Sequence, residues 1–491
     1  MLAILLAGRA DAQAGGEAVR WYSIGAETGI LGHSSQRSVV RRDGRETVES
    51  REIRLRELNS PLSVTTGRTV TRQDAAGRVV SISDEQRTGQ AWTRLEAQIL
   101  PGRAEVTRET AAGRHSESIA LPANVRFDSG SGLLAGWDPV VQPRLEILNF
   151  NLGAMIVERV VLQVAPPAPG DPADGMAVLR TRYEGEELRG VARLTLDAQR
   201  RVVATTQPMF GMAITTRLTD RETALRHHGP FRLLHHVQVR APYRLSDQAL
   251  TGHMRFRFAF SGGLEFPVPR TAEQRVTASP DGVTLDICRG CGPGLPTDAA
   301  YLADARRPTA WLQSDAPALQ AIAAPVARMQ MSDARKMDEL LQRARPYLAR
   351  IDFSGHYSAL ETVQRRAGDC TEAAALLAAL GRAAGIPTRV VNGLVYSRER
   401  YHGVANTFMP HSWVLAYVDG AWRSFDLALE RFDASHIALT VGDGDARSVQ
   451  AAIQLAGLLR WEQMTEIRRR PRPDQAPGSA AGSEGSAGSS S

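Results

Sequence analysis

A change of hydrophobic period near Ser314 constrains the fold of this chain more than any other feature. Ahead of it, from about residue 18 to 225, short alternating runs are broken by Gly, Asp and Pro. Runs 37–40, 64–70, 79–82, 157–164, 194–196 and 202–206 read as strands, and the proline-rich stretch 165–175 reads as a loop. A second strand-rich stretch, 230–312, is clearest at 233–239, 254–260 and 283–287, with Pro280-Asp281-Gly282 as a turn before the last run. Past Ser314 the period becomes helical. Ser314-Asp315 before Pro317 is a helix start, and Leu319, Ile322 and Val326 then share a face. Ser332-Asp333 starts another helix, with Met337, Leu340, Leu341 and Ala344 spaced for burial. Strands followed by a block of helices imply an α+β, multidomain chain.

The expected divisions are a β-rich region at 15–228, a second β-rich segment or small sandwich at 229–312, and a mixed core at 313–470. Periodicity does not decide whether 229–312 stands alone or continues the first sheet. Asp74-Ala-Ala-Gly-Arg-Val-Val80 is echoed by Asp197-Ala-Gln-Arg-Arg-Val-Val203, each a turn opening into a strand, as a duplicated β-layer would give. An apolar run followed by Ala12-Gln13-Ala14 reads as a truncated secretory signal over 1–14. That places the protein in the periplasm or outside the cell, with the cytoplasm as the alternative. No run of about 18 apolar residues offers a spanning helix. The Pro- then Gly/Ser/Ala-rich stretch 471–491 cannot bury a core and is expected to be disordered.

The chain has 491 residues, 43% hydrophobic and 23% charged, enough for real cores. Its net charge of +6 is carried almost wholly by Arg, with Lys336 the one lysine. The charges are dispersed, with no basic stripe, so nucleic acid is not an expected partner. Three cysteines are present: Cys288, Cys291 and Cys370. The C-x-x-C of Cys288 and Cys291 runs into Gly292-Pro293-Gly294, which is turn chemistry rather than the helix start a redox site needs. It has no second ligand pair for zinc, so it reads as a loop with a local disulfide or two spectator thiols. His227, His228, His235 and His236 form two pairs that no Cys or carboxylate pattern completes, and no metal or cofactor is expected.

Cys370 stands differently. Asp369 is a natural N-cap, and after Cys370 come helix formers with Leu376, Leu377 and Leu380 on a buried stripe. Gly385 caps the C-terminus and Pro387 blocks continuation. Cys370 therefore falls in the first turn of a helix, where the dipole favours the thiolate and free N–H groups can hold an oxyanion. Next, 388–396 reads as a strand. Asp419-Gly420 between alternating runs is a hairpin turn. With Val418 facing Ala421, Trp413 faces Asp426 and His411 faces Ala428. His411 and Asp426 are then diagonal neighbours on one face. A carboxylate there orients the imidazole, which can take the Cys370 proton.

Gly368-Asp369-Cys370, Arg382-Ala-Ala-Gly385-Ile-Pro387-Thr-Arg389, His411-Ser-Trp413 and Trp422 through Asp426 together resemble the transglutaminase-like, papain-fold superfamily. Asp433-Ala-Ser-His436-Ile resembles the end of the core in bacterial members. The resemblance covers about 313–470 and implies a helix packed on an antiparallel sheet, with a catalytic Cys370–His411–Asp426 triad. Members often carry Pro after the Asp, where this chain has Leu427, and an acidic residue after His-x-Trp, where it has Val414-Leu415. Tyr357 and Gln364 are the candidates for a side-chain oxyanion donor. Trp413 and Trp422 read as core aromatics, and His402 and His436 as structural or solvent-facing.

The chemistry expected is acyl transfer on amides of a protein or peptide substrate through a thioester. Hydrolysis is preferred over coupling to a lysine amine, which would make the protein a cross-linker. The competing reading is a binding or assembly protein whose β-rich region engages an envelope partner while the core does little chemistry.

Overall fold

The computed structural model describes residues 19–467, apart from 57–61, 90, 128–133, 135, 169–170, 172–173, 227–230, 262–263, 354 and 400–403. The expected leader at 1–14, the tail at 471–491, and His227, His228 and His402 lie outside the described residues.

The first region is a 15-stranded sheet. One antiparallel run steps from Val19–Ala26 out to Gly113–Ala120, and a second steps from Met212–Thr219 back to Arg144–Asn151, with Arg126–Phe127 parallel beside it. The runs join where Val19–Ala26 pairs with Met212–Thr219. Leu95, Ala97 and Val106 from one run share a core with Phe150 and Leu152 from the other, so the sheet curls until its far ends meet. The two echoed motifs take one turn design. Asp74 Oδ1 accepts from the Ala76 and Arg78 N–H groups, and Asp197 Oδ1 accepts from those of Gln199 and Arg201. Each aspartate also pairs with its arginine at 2.8 Å.

The 229–312 stretch supplies Met254–Phe260, Gln274–Ser279 and Gly282–Ile287 to a 4-stranded sheet, which Leu459–Glu466 completes from far along the chain. Run 233–239, expected as a strand, is a helical turn at Leu233–His236 followed by the two-residue strand Val239–Arg240. Tertiary packing overrides the local pattern: Phe231 and Val237 are drawn into a core with Ile24, Met209 and Ile214 of the large sheet.

The core sheet has 5 strands, ordered Val239–Arg240, Thr407–Val418, Thr388–Ser397 and Ile437–Gly442, with Ala421–Phe425 pairing to Thr407–Val418. Asp419 and Gly420 have φ of +50° and +82°, as the two central residues of a tight hairpin turn require. The helix Cys370–Ala383 packs on this sheet, burying Leu376, Leu377 and Leu380 against Val390, Val414 and Ala416. Each of those leucines is fully buried, and truncation to alanine would cost about 2–5 kcal/mol. The helix ends on paired hydrogen bonds, Ile386 N–H to Gly381 O and Gly385 N–H to Arg382 O, with Gly385 at φ +87°. The expected starts at Ser314-Asp315 and Ser332-Asp333 precede helices Pro317–Ala327, which begins at Ala316 with no side-chain cap, and Asp333–Ala344, capped by Ser332.

A second helix, Ala446–Gly457, ties the core to the large sheet. Gln454 accepts from Val191 N–H (3.1 Å) and donates to Gln207 (3.1 Å), and Arg447 pairs with Glu184 at 2.8 Å. From the large sheet, the buried Arg108 reaches over Trp311 (4.3 Å to the ring centre) and toward Glu361 (3.7 Å). Among the described residues no helix is long and apolar enough to cross a membrane.

Candidate active site

Asp369 caps the nucleophile helix. Its Oδ1 accepts from Thr371 N–H at 2.7 Å, while Glu372 Oε2 accepts from Asp369 N–H at 2.9 Å. The second Glu372 oxygen accepts from Tyr357 N–H at 2.9 Å, so a fully buried carboxyl ties the segment before the helix to its first turn. Cys370 opens the helix and is partly exposed. Its sulfur accepts from the Ser412 backbone N–H, on the strand that carries His411.

The hairpin register runs as the turn dictates, from Val418 opposite Ala421 to Val414 opposite Phe425. The ladder stops one pair before Asp426. The side chain still crosses the gap: His411 Nε2–H donates to Asp426 Oδ2 at 2.7 Å, both groups buried. An ionised carboxylate only accepts, so that bond puts the proton on Nε2 and leaves Nδ1 as the basic nitrogen of a neutral ring. Asp426 Oδ1 accepts from the Ala428 and Leu429 N–H groups, each at 2.9 Å. The His411 imidazole, and after it that of His436, hold the Asp426 carboxyl well below its usual range despite burial.

Sequence reasoning missed the role of His436. Its Nε2 lies 3.0 Å from the same Asp426 oxygen, and its Nδ1 lies 3.2 Å from Asp433 Oδ1. The signal was present in Asp433-Ala-Ser-His436, but no register carries it through the loop to Asp426. The ligand atoms of His411, Asp426 and His436 lie within 4.8 Å of one another. Their contacts converge on one oxygen at hydrogen-bond lengths, the geometry of shared protons rather than of ligands each about 2 Å from a common ion.

The field at Cys370 differs from the expectation of a dipole-stabilised thiolate. Burial, and after it the negative charges of Asp369, Glu372 and Asp426, push the thiol well above its usual range, with the Ser412 N–H opposing. A resting neutral thiol follows.

Cys370 and His411 line a cleft of about 360 Å³ whose other walls include Leu348, Phe353, Met409 and Leu427. Ile351 and Leu429, 75% and 40% exposed, stand at this cleft as well. A smaller recess behind the sulfur is lined by Gln238, Asn392, Ser412 and Ile453. Neither oxyanion candidate reaches these walls. Tyr357 is buried with the Arg365 guanidinium 3.9 Å from its ring centre, and Gln364 is exposed on the helix Ala359–Arg365. Trp413 and Trp422 are core residues beside Leu415 and Ala438. Cys288 and Cys291 form a disulfide. His235 and His236 stack edge-to-face at 5.3 Å, with His236 against Phe231.

The sequence model of the Transglutaminase-like superfamily matches residues 320–427, a span that includes all three expected site residues. Among solved structures, the chain is similar to a "Putative Cysteine Protease" from Cytophaga hutchinsonii at 17% identity, covering 45% of this chain and 91% of that one, with a TM-score of 0.29. It is also similar to a beta-barrel-like protein of a domain of unknown function from Brucella abortus, at 13% identity over 42% of this chain and 96% of that one, TM-score 0.32. No curated protein matches the chain.

Proposed function

We propose, on the premise that residues 320–427 form a transglutaminase-like domain, that the protein is a cysteine peptidase or amidase working through Cys370, His411 and Asp426. The carrying observation is the convergence of Cys370 and His411 on one cleft, with His411 held by Asp426 at 2.7 Å. Cys370 Sγ attacks the substrate carbonyl carbon while its proton passes to His411 Nδ1. The tetrahedral oxyanion collapses, the C–N bond breaks, and His411 returns the proton to the departing amine. Water then attacks the thioester with His411 as base, releasing acid and restoring the thiol. Because the resting thiol is neutral, its proton leaves during attack rather than before it. Apolar walls favour a polypeptide segment with a bulky aliphatic or aromatic side chain next to the reacting carbonyl. The Cys288–Cys291 disulfide supports a periplasmic or secreted setting.

The test is turnover of an internally quenched peptide library by the full chain, with and without a primary-amine donor, alongside mass spectrometry of Cys370. Peptide cleavage that Cys370→Ala abolishes, with acid rather than amine-coupled product, is the expected result. Amine-coupled product in excess would make the protein a cross-linker. No turnover and no acyl adduct on Cys370 would leave a binding protein.

A further inference from the structure

Three buried contacts lie in line behind His411. Asp433 Oδ1 meets His436 Nδ1 at 3.2 Å, His436 Nε2 meets Asp426 Oδ2 at 3.0 Å, and that same oxygen takes His411 Nε2–H at 2.7 Å. Side-chain exposure along this line is 11%, 0%, 0% and 5%, so water does not compete for these bonds. The His436 ring is wedged between Trp413 (5.1 Å, edge-on) and Phe432 (4.8 Å), which fixes its plane. Asp433 is itself fixed, accepting from Ser435 N–H at 2.9 Å and Ser435 Oγ–H at 2.6 Å.

A buried neutral imidazole is satisfied by one acceptor for its N–H and one donor to its bare nitrogen. This one takes two carboxylates, one of them the group that orients His411. We propose that His436 is a positioning residue, holding Asp426 aimed at His411 within an Asp433–His436–Asp426–His411 chain. This rests on the acyl-transfer reading of Cys370 and His411.

The consequences follow from the groups that face Asp426. These are His411 on its strand, His436 with Asp433 from the following loop, and Cys370 from the helix start; Glu273, from the loop before Gln274–Ser279, faces His436. Without His436, Asp426 keeps its backbone donors and the His411 contact but loses one tether and one neighbouring positive charge. Its carboxylate is then free to turn, and an imidazole that it no longer aims takes the Cys370 proton more slowly. His436 carries a proton at neutral pH in support, its two carboxylates lifting it to about 9 against burial.

The experiment is the rate of Cys370 alkylation by iodoacetamide at pH 7 on the full chain, mapped by mass spectrometry. Wild type, His411→Ala, His436→Gln and Asp433→Asn are compared, together with His436→Gln and Asp433→Asn each combined with His411→Ala. His411→Ala should slow alkylation by about a hundredfold, as loss of a general base does. His436→Gln should slow it about tenfold when His411 is present and leave it unchanged when His411 is absent, because it acts through His411. Asp433→Asn, which keeps the imidazole and the Asp426 contact, should show the same dependence with a smaller loss, and it carries the test alone if His436→Gln does not fold. Rates within twofold of wild type in the folded variants, or losses that persist undiminished without His411, would overturn the proposal. If His411→Ala itself leaves the rate unchanged, it is the acyl-transfer reading that fails.

Discussion

His436 binds its proton more tightly in the folded chain than in the unfolded one, near 9 against 6.5. A raised value means the stabilisation is complete below pH 6.5 and drains away as pH climbs through 9. The gap is worth about 3 kcal/mol at most, since 1.36 kcal/mol accompanies each pH unit. Urea unfolding of the wild type should therefore show stability falling between pH 7 and 9.5, and His436→Gln should flatten that slope. A wild-type curve level across the window would place the His436 proton elsewhere. Cys370 adds to the fall, because a thiol pushed up by burial also favours folding only while protonated.

At the scale of elements, the strand Thr388–Ser397 is bulged at Asn392–Gly393, where Gly393 pairs with His411 on one side and Ala438 on the other. A Cβ on Gly393 would lie 1.9 Å from Ile437 O, a backbone atom with nowhere to go. Gly393→Ala should cost about 2 kcal/mol or more in urea unfolding and pull Ile437–Gly442, the strand that follows His436, away from the site. A wild-type midpoint with wild-type Cys370 reactivity would mean the strands tolerate the separation. The same strands show what sequence can carry. The Asp419-Gly420 turn specifies two backbone conformations, so pairing counted outward from it holds as far as Val414 and Phe425, and a side-chain contact beyond the ladder joins His411 to Asp426. Asp369, Gly385 and Pro387 bound the Cys370 helix because each acts on its own backbone. Signals that depend on distant partners do not travel this way. His436 lies across an irregular loop from Asp426, so its partner is invisible in a linear count. Leu233–His236 coils because Phe231 and Val237 are claimed by a remote core. The thiol field at Cys370 depends on acids brought together by two different segments, the helix start and the end of the hairpin.

For the molecule as a whole, the large sheet buttresses the core that carries Cys370 rather than standing apart from it. Arg108 is its deepest probe, with its guanidinium against Trp311 and near Glu361, and burial alone already weakens its hold on the proton. Glu361 also accepts from Ser358 N–H to cap the helix Ala359–Arg365, which leads into the Cys370 loop. Removing one partner of a buried pair leaves an uncompensated charge. Arg108→Ala should therefore lower unfolding free energy by about 3 kcal/mol, whereas Arg108→Met, which refills the space beside Trp311, should cost less. Equal, negligible losses in urea titrations would mean that the sheet and core do not rely on this contact.

The four-stranded sheet holds Met254–Phe260 between Gly282–Ile287 and Leu459–Glu466, so Met254 waits for Glu466. Hairpins of the large sheet can close as each emerges from the ribosome, since their partners are neighbours in sequence. The four-stranded sheet cannot close that way, because its central strand is parted from Leu459–Glu466 by the whole of the five-stranded core, and that loop-closure entropy falls due only when the late strand arrives. Until then Met254–Phe260 waits with one edge unpaired.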